Sequence, residues 1–512
     1  MKRIISFLLC TALVLSLTGC AAMPEINVQT ASTLPPASTG YTAPISDELM
    51  DYSRETALYL PSRDGQKLLC RYENLKLSHN QHCAESVVRA LLMHPGDTQL
   101  RPLGKGVALS LYGQTPVEVA GGICTVNLAT SALQLDLDEF YTVCLSISAT
   151  LCQLPDIHAV NVLVADQAVG MDISAILPLG CLTAHPGESL PALWEQLLAR
   201  RTPLGESPST VPTAASAALY FPLADGSGVI PETHALSFPG QTPQQLAETL
   251  LAALSSGAQY TSGVCDMPDI ASMMVYVPSA SDLESGGRLL TLRFIGDIGE
   301  RLANAGVDMT CFMASVSQTL LTFIPSIAAI DIYIGTEPLQ ALHHERFGSV
   351  QPDQGRVRRN TFAPLLSEQV KLYLPHGNKI AAVQRAVPVS SAASPRTLAA
   401  LLFGDVSEAE LAAGYSSPLP AVLADSDVLG IAIDDDTLLL NLSSRCADLI
   451  CNLDDAAQQR LCYAIVNTLC ESKGVRRVLF FFDGMTAESL GGSFCWSGEF
   501  FASPAMNRNP AR

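Results

Sequence analysis

Leu58-Tyr59-Leu60-Pro61, Leu219-Tyr220-Phe221-Pro222 and Leu372-Tyr373-Leu374-Pro375 are three versions of one tetrapeptide within a single chain of 512 residues. Each reads as a short β-strand stopped by proline, and a turn with glycine follows: Asp64-Gly65, Asp225-Gly226 and His376-Gly377. An amphipathic helix comes next in each copy. The first has the stripe Val87, Val88, Leu91, Leu92. The second opens on Thr242-Pro243-Gln244-Gln245, where Thr242 suits an N-cap, Pro243 the first helical position and Gln245 a capping box. The third opens on Ser394-Pro395 and runs through Leu398, Leu401 and Leu402 to Gly404.

Two strands then form a hairpin. Val117-Glu118-Val119 passes through Gly121-Gly122 to Cys124-Thr125-Val126-Asn127-Leu128, and Leu429–Ile433 turns at Asp434-Asp435-Asp436 into Leu438–Leu442. The second copy has a longer loop, with Gly286-Gly287 before Leu290–Phe294. Each second strand alternates, as a sheet with one buried face requires. A second helix and a last strand repeat most clearly. Thr150-Leu151 leads to Val160–Val164, Thr319-Leu320 to Ile330–Ile334, and Thr468-Leu469 to Val478–Phe482, with Pro155, Pro325 and Gly474 breaking the chain between them. The repeat predicts an α+β fold: three tandem small β-α-β-β-α-β domains, each a sheet with two helices on one face. The expected domains are residues 55–180, 216–340 and 369–512, joined by a helix and linker at 181–215 and a linker at 341–368. Arg356, Arg358 and Arg359 in the last linker read as a solvated basic loop.

Ahead of the repeats, Met1-Lys2-Arg3 is followed by an apolar run from Ile4 to Leu17 and then by Thr18-Gly19-Cys20. The run is too short for a permanent membrane span. It reads as a signal peptide over residues 1–19, because Leu17-Thr18-Gly19-Cys20 resembles the lipobox of bacterial lipoproteins. The resemblance implies a lipid on Cys20 that holds the protein to the membrane, on the outer face of the cytoplasmic membrane. Residues 20–54, rich in Pro, Ser, Thr and Ala, read as a flexible tether.

The formal charge is −19, with 49 acidic residues against 30 basic ones. Such a chain repels nucleic acid and anionic headgroups, so neither is an expected partner. The hydrophobic share is 48%, enough for sizeable cores. Fifteen cysteines are present without a Cys-x-x-Cys pair, so zinc and thioredoxin chemistry find no support. Cys144 and Cys152, like Cys462 and Cys470, lie eight apart and share a helix face, where cysteine reads as a small buried hydrophobe.

The strand motif, the hairpin ending Val126-Asn127-Leu128 and the closing Thr-Leu helix with its strand resemble the GerM domain of sporulation and spore-germination proteins. Phe482-Asp483-Gly484 and Asn509-Pro510 add to the likeness. The resemblance implies a lipoprotein with tandem domains, a fold similar to ring-building modules, and protein partners or self-assembly in the cell envelope.

No catalytic residues are expected. The chain has no Gly-x-Ser-x-Gly elbow, no phosphate loop of the Gly-x-x-x-x-Gly-Lys-Ser/Thr type and no His-Glu-x-x-His. His343-His344-Glu345 reads as a surface loop and Asp434-Asp435-Asp436 as a hairpin tip, so no metal or cofactor is expected. Trp194 reads as packing on its own domain through the helix Leu190, Leu193, Leu197, Leu198. The expected function is non-enzymatic: assembly during sporulation or germination. Two further classes stay open, a binding module for a small ligand or cell-wall fragment, and a hydrolase with an unrecognised site.

Overall fold

The computed structural model describes residues 40–49, 51–78, 82–170, 177–203, 205–282, 287–391 and 394–507. Residues 1–19, Cys20, Gly286 and Asn509-Pro510 lie outside the described residues.

In the first segment β1 (Asp51–Pro61) and β2 (Leu68–Ser78) pair as an antiparallel hairpin. Then come α1 (Cys83–Met93), β3 (Val117–Ala120), β4 (Ile123–Leu128), α2 (Leu137–Leu151) and β5 (Ala159–Val164), with α3 (Leu190–Leu198) beyond them. The second segment runs β6 (Thr213–Pro222), β7 (Val229–Phe238), α4 (Pro243–Ser255), β8 (Ser279–Asp282), β9 (Arg288–Phe294), α5 (Ile298–Asn304), α6 (Met309–Phe323) and β10 (Ile327–Ile334). The third runs β11 (Ser367–His376), β12 (Lys379–Pro388), α7 (Pro395–Phe403), β13 (Val428–Asp434), β14 (Thr437–Leu442), α8 (Ser444–Cys451), α9 (Asp455–Leu469), β15 (Arg477–Phe482) and β16 (Glu499–Phe501).

The expected β-α-β-β-α-β order is therefore corrected by one strand. Each tetrapeptide does not end a lone strand; it lies in the first arm of a long hairpin, and Pro61, Pro222 and Pro375 pair with Leu68, Val229 and Ile380. Each hairpin is a two-stranded ladder, so proline can sit where no ladder donor is needed. The single sheet with two helices on one face is corrected as well. A second sheet forms from the later strands: β3 and β4 antiparallel, β4 and β5 parallel, with the same pattern for β8-β9-β10 and β13-β14-β15. The parallel pair is closed by a helical crossover, α2, α6 or α9. That crossover helix touches both the hairpin and the later sheet. In α2 nearly every residue from Glu139 to Leu151 is accordingly buried.

The two most repeated sequence signals meet at one hydrogen bond. The amide of Tyr59 donates to Thr150 Oγ1 at 2.9 Å, that of Tyr220 to Thr319 Oγ1 at 3.0 Å, and that of Tyr373 to Thr468 Oγ1 at 2.9 Å. The strand tetrapeptide and the Thr-Leu of the crossover helix are thus two sides of one contact, made three times. Thr150, Thr319 and Thr468 are fully buried. The helix starts also follow local chemistry: Thr242 and Gln245 form the capping box of α4, with Pro243 in its first turn.

Three large apolar clusters follow the three segments, although Ala120, Ile123, Ala159 and Cys181 of the first pack into the cluster of the second. Cys144 and Cys462 are fully buried within these cores, and Cys152 and Cys470 lie at their margins. The thirteen cysteines among the described residues are all unpaired. Trp194 packs on the first segment, its ring 6.1 Å from that of Tyr141.

Part of the stretch read as a tether is built into the third segment. Glu48–Leu49 runs parallel to β13, Glu48 opposite Ala432. Arg396 grips the Asp47 carboxylate with two nitrogens, at 2.5 and 2.7 Å, and Asn441 Nδ2 donates to the Pro44 carbonyl at 2.8 Å. Tyr41 and Ala43 rest on Leu439, Leu479 and Phe481. Gly430 is required at this crossing, because a Cβ there would stand 2.6 Å from the Pro44 oxygen. No helix among the described residues is long and apolar enough to cross a membrane.

Candidate functional site

The first and third segments, with residues 363–366 between them, line a cleft of about 850 Å3. Its position follows from three joints. At the turn between β3 and β4, Gly121 has φ +55°, and a Cβ there would stand 2.0 Å from the Pro231 carbonyl of the second segment. Beside it, Glu118 of β3 meets Arg359 at 2.7 Å in a nearly dry ion pair. Burial works against the guanidinium charge, but the Glu118 carboxylate outweighs it and holds Arg359 above its ordinary value. The Arg359 carbonyl accepts from Gln318 Nε2 of α6 at 2.7 Å, so the second segment is tied to the same point.

The basic stretch expected to be a solvated loop is thus divided. Arg358 is exposed, Arg356 binds Asp331 at 2.8 Å, and Arg359 is buried. Residues 341–368 contain short strands at Leu342–His344, Gly348–Val350 and Arg356–Val357 and a 3-10 turn at Arg359–Leu365.

The second joint crosses from the first segment to the third. Lys473 reaches Asp156 at 2.6 Å, and Asp156 also takes His82 Nε2 at 3.1 Å. Burial alone would raise the Asp156 carboxyl; the His82 hydrogen bond and the Lys473 ammonium overcome it and hold it well below the usual carboxylate range. His82 Nδ1 accepts the Ala84 amide at the start of α1, and its Nε2 lies against both the Asp156 carboxylate and the Lys473 ammonium. Burial, with Lys473 adding to it, lowers the His82 imidazole. Cys83 lies 3.8 Å from Lys473 Nζ. Burial pushes its thiol up despite that ammonium, so the group lacks the thiolate character of a nucleophile. The third joint is a parallel bridge between Val229 and Leu366.

Five carboxylates line the cleft: Glu85, Glu118, Asp156, Glu368 and Glu471. Four have a basic partner within 2.8 Å: Arg89, Arg359, Lys473 and Lys371 respectively for Glu85, Glu118, Asp156 and Glu471. Glu368 has none among the described residues. Its Oε1 accepts its neighbour's amide, that of Gln369, at 3.0 Å, and its Oε2 is buried away from solvent. Burial, helped by the Asp156 charge, pushes the Glu368 carboxyl up to about 7 against the pull of backbone amides and Lys473. None of Asp156, Glu368 and Lys473 belongs to a recognisable motif, and a charged residue beside the Pro155 break was the one local signal.

Two other sequence candidates resolve differently. His344 comes together with Asp308 and Cys311, all three donor atoms within 4.8 Å of one another. Yet His344 Nδ1 accepts the Arg346 amide at 3.2 Å, and its Nε2 donates to the Gly226 carbonyl at 2.7 Å. Both ring nitrogens are committed, and the cluster reads as a hydrogen-bonded knot at the Asp225-Gly226 turn. His343 and Glu345 are exposed. Asp434-Asp435-Asp436 does form the hairpin tip between β13 and β14, with Asp435 at φ +55° and Asp436 held by Arg477 at 2.6 Å.

Residues 371–488 match the family model Germane, described as sporulation and spore germination. No curated protein matches the chain. The tandem GerMN domains of the sporulation protein GerM from Bacillus subtilis are similar over 57% of this chain and 100% of theirs, at 13% identity and a TM-score of 0.22. A Clostridium perfringens protein described as a lipoprotein is similar over 26% of this chain and 87% of its own, at 21% identity and a TM-score of 0.19. The TM-scores carry no argument, and the family likeness rests on the sequence match, which covers residues 371–488 of the third segment.

Proposed function

We propose that this is a non-enzymatic assembly protein of the cell envelope in sporulation or germination. In this reading the three segments are tandem GerM-like modules, similar to ring-building motifs. Cys20 carries the lipid that anchors them to the outer face of the cytoplasmic membrane. The observation that supports it is the Tyr-to-Thr hydrogen bond made in all three segments, a contact that the first two segments share with the one that matches the family. A second support is the chemistry of the cleft. Its cysteine, Cys83, is held as a thiol, and His82 is engaged by Ala84 and Asp156. Function would then come from surfaces that dock on other copies or on other envelope proteins.

The test has two arms. The full chain should label with a palmitate analogue through Cys20 and accumulate in the envelope only after sporulation begins. Cys20→Ala should abolish labelling and release the protein. Equal expression in vegetative cells, or labelling that survives Cys20→Ala, would sink this reading.

A further inference from the structure

The cleft between the first and third segments has features that assembly does not use. Its volume of about 850 Å3 lies within the roughly 300–1,000 Å3 typical of small-molecule sites, which often form where two folded units meet. What it offers a ligand depends on which of its side chains are already engaged. Four of its carboxylates carry a basic partner within 2.8 Å: Glu85 with Arg89, Glu118 with Arg359, Asp156 with Lys473 and Glu471 with Lys371. The fifth, Glu368, gives its carboxyl to the backbone amides of Gln369 and Gly121. Both lysines of the lining are consumed in these pairs. What is left is apolar wall, from Tyr52, Val117, Pro364, Pro388 and Val389, none of them fully buried. The exposed Gln114, Thr115 and Ser390 add uncharged hydrogen-bonding groups.

We propose that this cleft binds a neutral single-chain lipid, a monoacylglycerol in its chemistry. The acyl chain lies between the two segments against Val117 and Val389, and the hydroxyl head meets Gln114, Thr115 and Ser390. Charge pairing selects a neutral ligand. An ionised head would give up its water beside groups that already neutralise one another, and would gain no counter-ion in return. An uncharged chain pays no such penalty and gains with every CH2 it buries. The wall favours a chain for a second reason. Proline and valine are stiff, so little order has to be imposed on them when a ligand enters. The head follows from the remaining groups, since an amide and two hydroxyls both donate and accept hydrogen bonds, as glycerol does.

Calorimetry and thermal shift on the full chain test this, with each probe kept below the concentration at which it aggregates. 1-Decanoylglycerol should bind saturably and raise the melting temperature. 1-Octanoylglycerol should bind about tenfold more weakly, because two CH2 groups at roughly 0.8 kcal/mol each amount to about that factor. Glycerol, a head without a chain, should not bind. Decanoate, with the same number of chain carbons and a charged head, should bind at least about tenfold more weakly than 1-decanoylglycerol. Thr115→Trp on the first segment and Ser390→Trp on the third lie at exposed positions of the lining, so each should narrow the cleft and abolish binding without disturbing a core. No binding of 1-decanoylglycerol, equal binding of decanoate, or undiminished binding in either tryptophan variant would each overturn the proposal.

Discussion

Replacing Thr468 by valine keeps the side chain's volume and removes the oxygen that takes the Tyr373 amide proton at 2.9 Å. Thr468 is 0% exposed and Tyr373 8%, so water cannot supply a substitute acceptor. A buried donor left without a partner costs about 1–3 kcal/mol. The methyl group that replaces the hydroxyl returns at most about 0.8 kcal/mol through burial. The expected net loss is therefore about 0.2–2 kcal/mol, a factor of up to roughly 30 in the local folding equilibrium. Hydrogen–deuterium exchange read by mass spectrometry on the peptide spanning Ser367–His376 measures that factor directly, without requiring the whole chain to unfold in one step. Thr468→Ser keeps the oxygen and should exchange close to the native rate. Thr150→Val and Thr319→Val should produce losses of the same size in their own hairpins, since the distances there are 2.9 and 3.0 Å. If Thr468→Val exchanges as slowly as the native chain, or if serine is as damaging as valine, the hydrogen bond is not what joins helix to hairpin.

Glu118→Ala leaves Arg359 charged and nearly dry, and should cost about 3–5 kcal/mol by chemical denaturation, while Glu118→Leu with Arg359→Leu should recover most of that. A double variant as unstable as the single one would count against the pair being a desolvated joint. Gly430→Ala puts a Cβ 2.6 Å from the Pro44 oxygen and should displace residues 40–49, read as faster proteolytic cleavage there with the third segment still folded. Unchanged cleavage would mean that the crossing tolerates a side chain. Glu368 should also tilt stability with pH. Its folded value of about 7 lies above the ordinary value near 4.3, so the folded state holds the proton more tightly; stability is greatest at low pH, falls as pH rises between these values and levels off above about 7. Denaturation midpoints of Glu368→Gln should lack this fall, and parallel native and variant profiles would refute it.

The sequence made the repeat legible because its strongest signals are the two sides of a buried contact. Tyr59 and Thr150, Tyr220 and Thr319, Tyr373 and Thr468 were each visible as motifs, and what joins them is a hydrogen bond no spacing could reveal. The second arm of the first hairpin escaped notice for a physical reason. From Cys70 to Lys76, β2 is half or fully exposed and carries Arg71, Glu73, Asn74 and Lys76, so it shows neither an apolar run nor a clean alternation. The cleft was not legible either. Asp156, Glu368 and Lys473 come from three distant stretches, and nothing local marks a carboxyl that becomes buried only when two segments close on it. His343-His344-Glu345 shows the opposite case, a suggestive string whose one buried member is claimed by neighbouring backbone.

The grip of Arg396 on Asp47 and of Asn441 on Pro44 spans 349 and 397 residues of chain. Ribosomes deliver the amino end first, so residues 40–49 emerge long before Gly430, Arg396 and Asn441 exist to receive them. The first two-thirds must reach a stable form unaided, and closure of this very long loop becomes one of the last events of maturation. A nascent chain halted before residue 441 would carry its opening strand loose, so protection of residues 40–49 from protease would report that synthesis has run through the third segment.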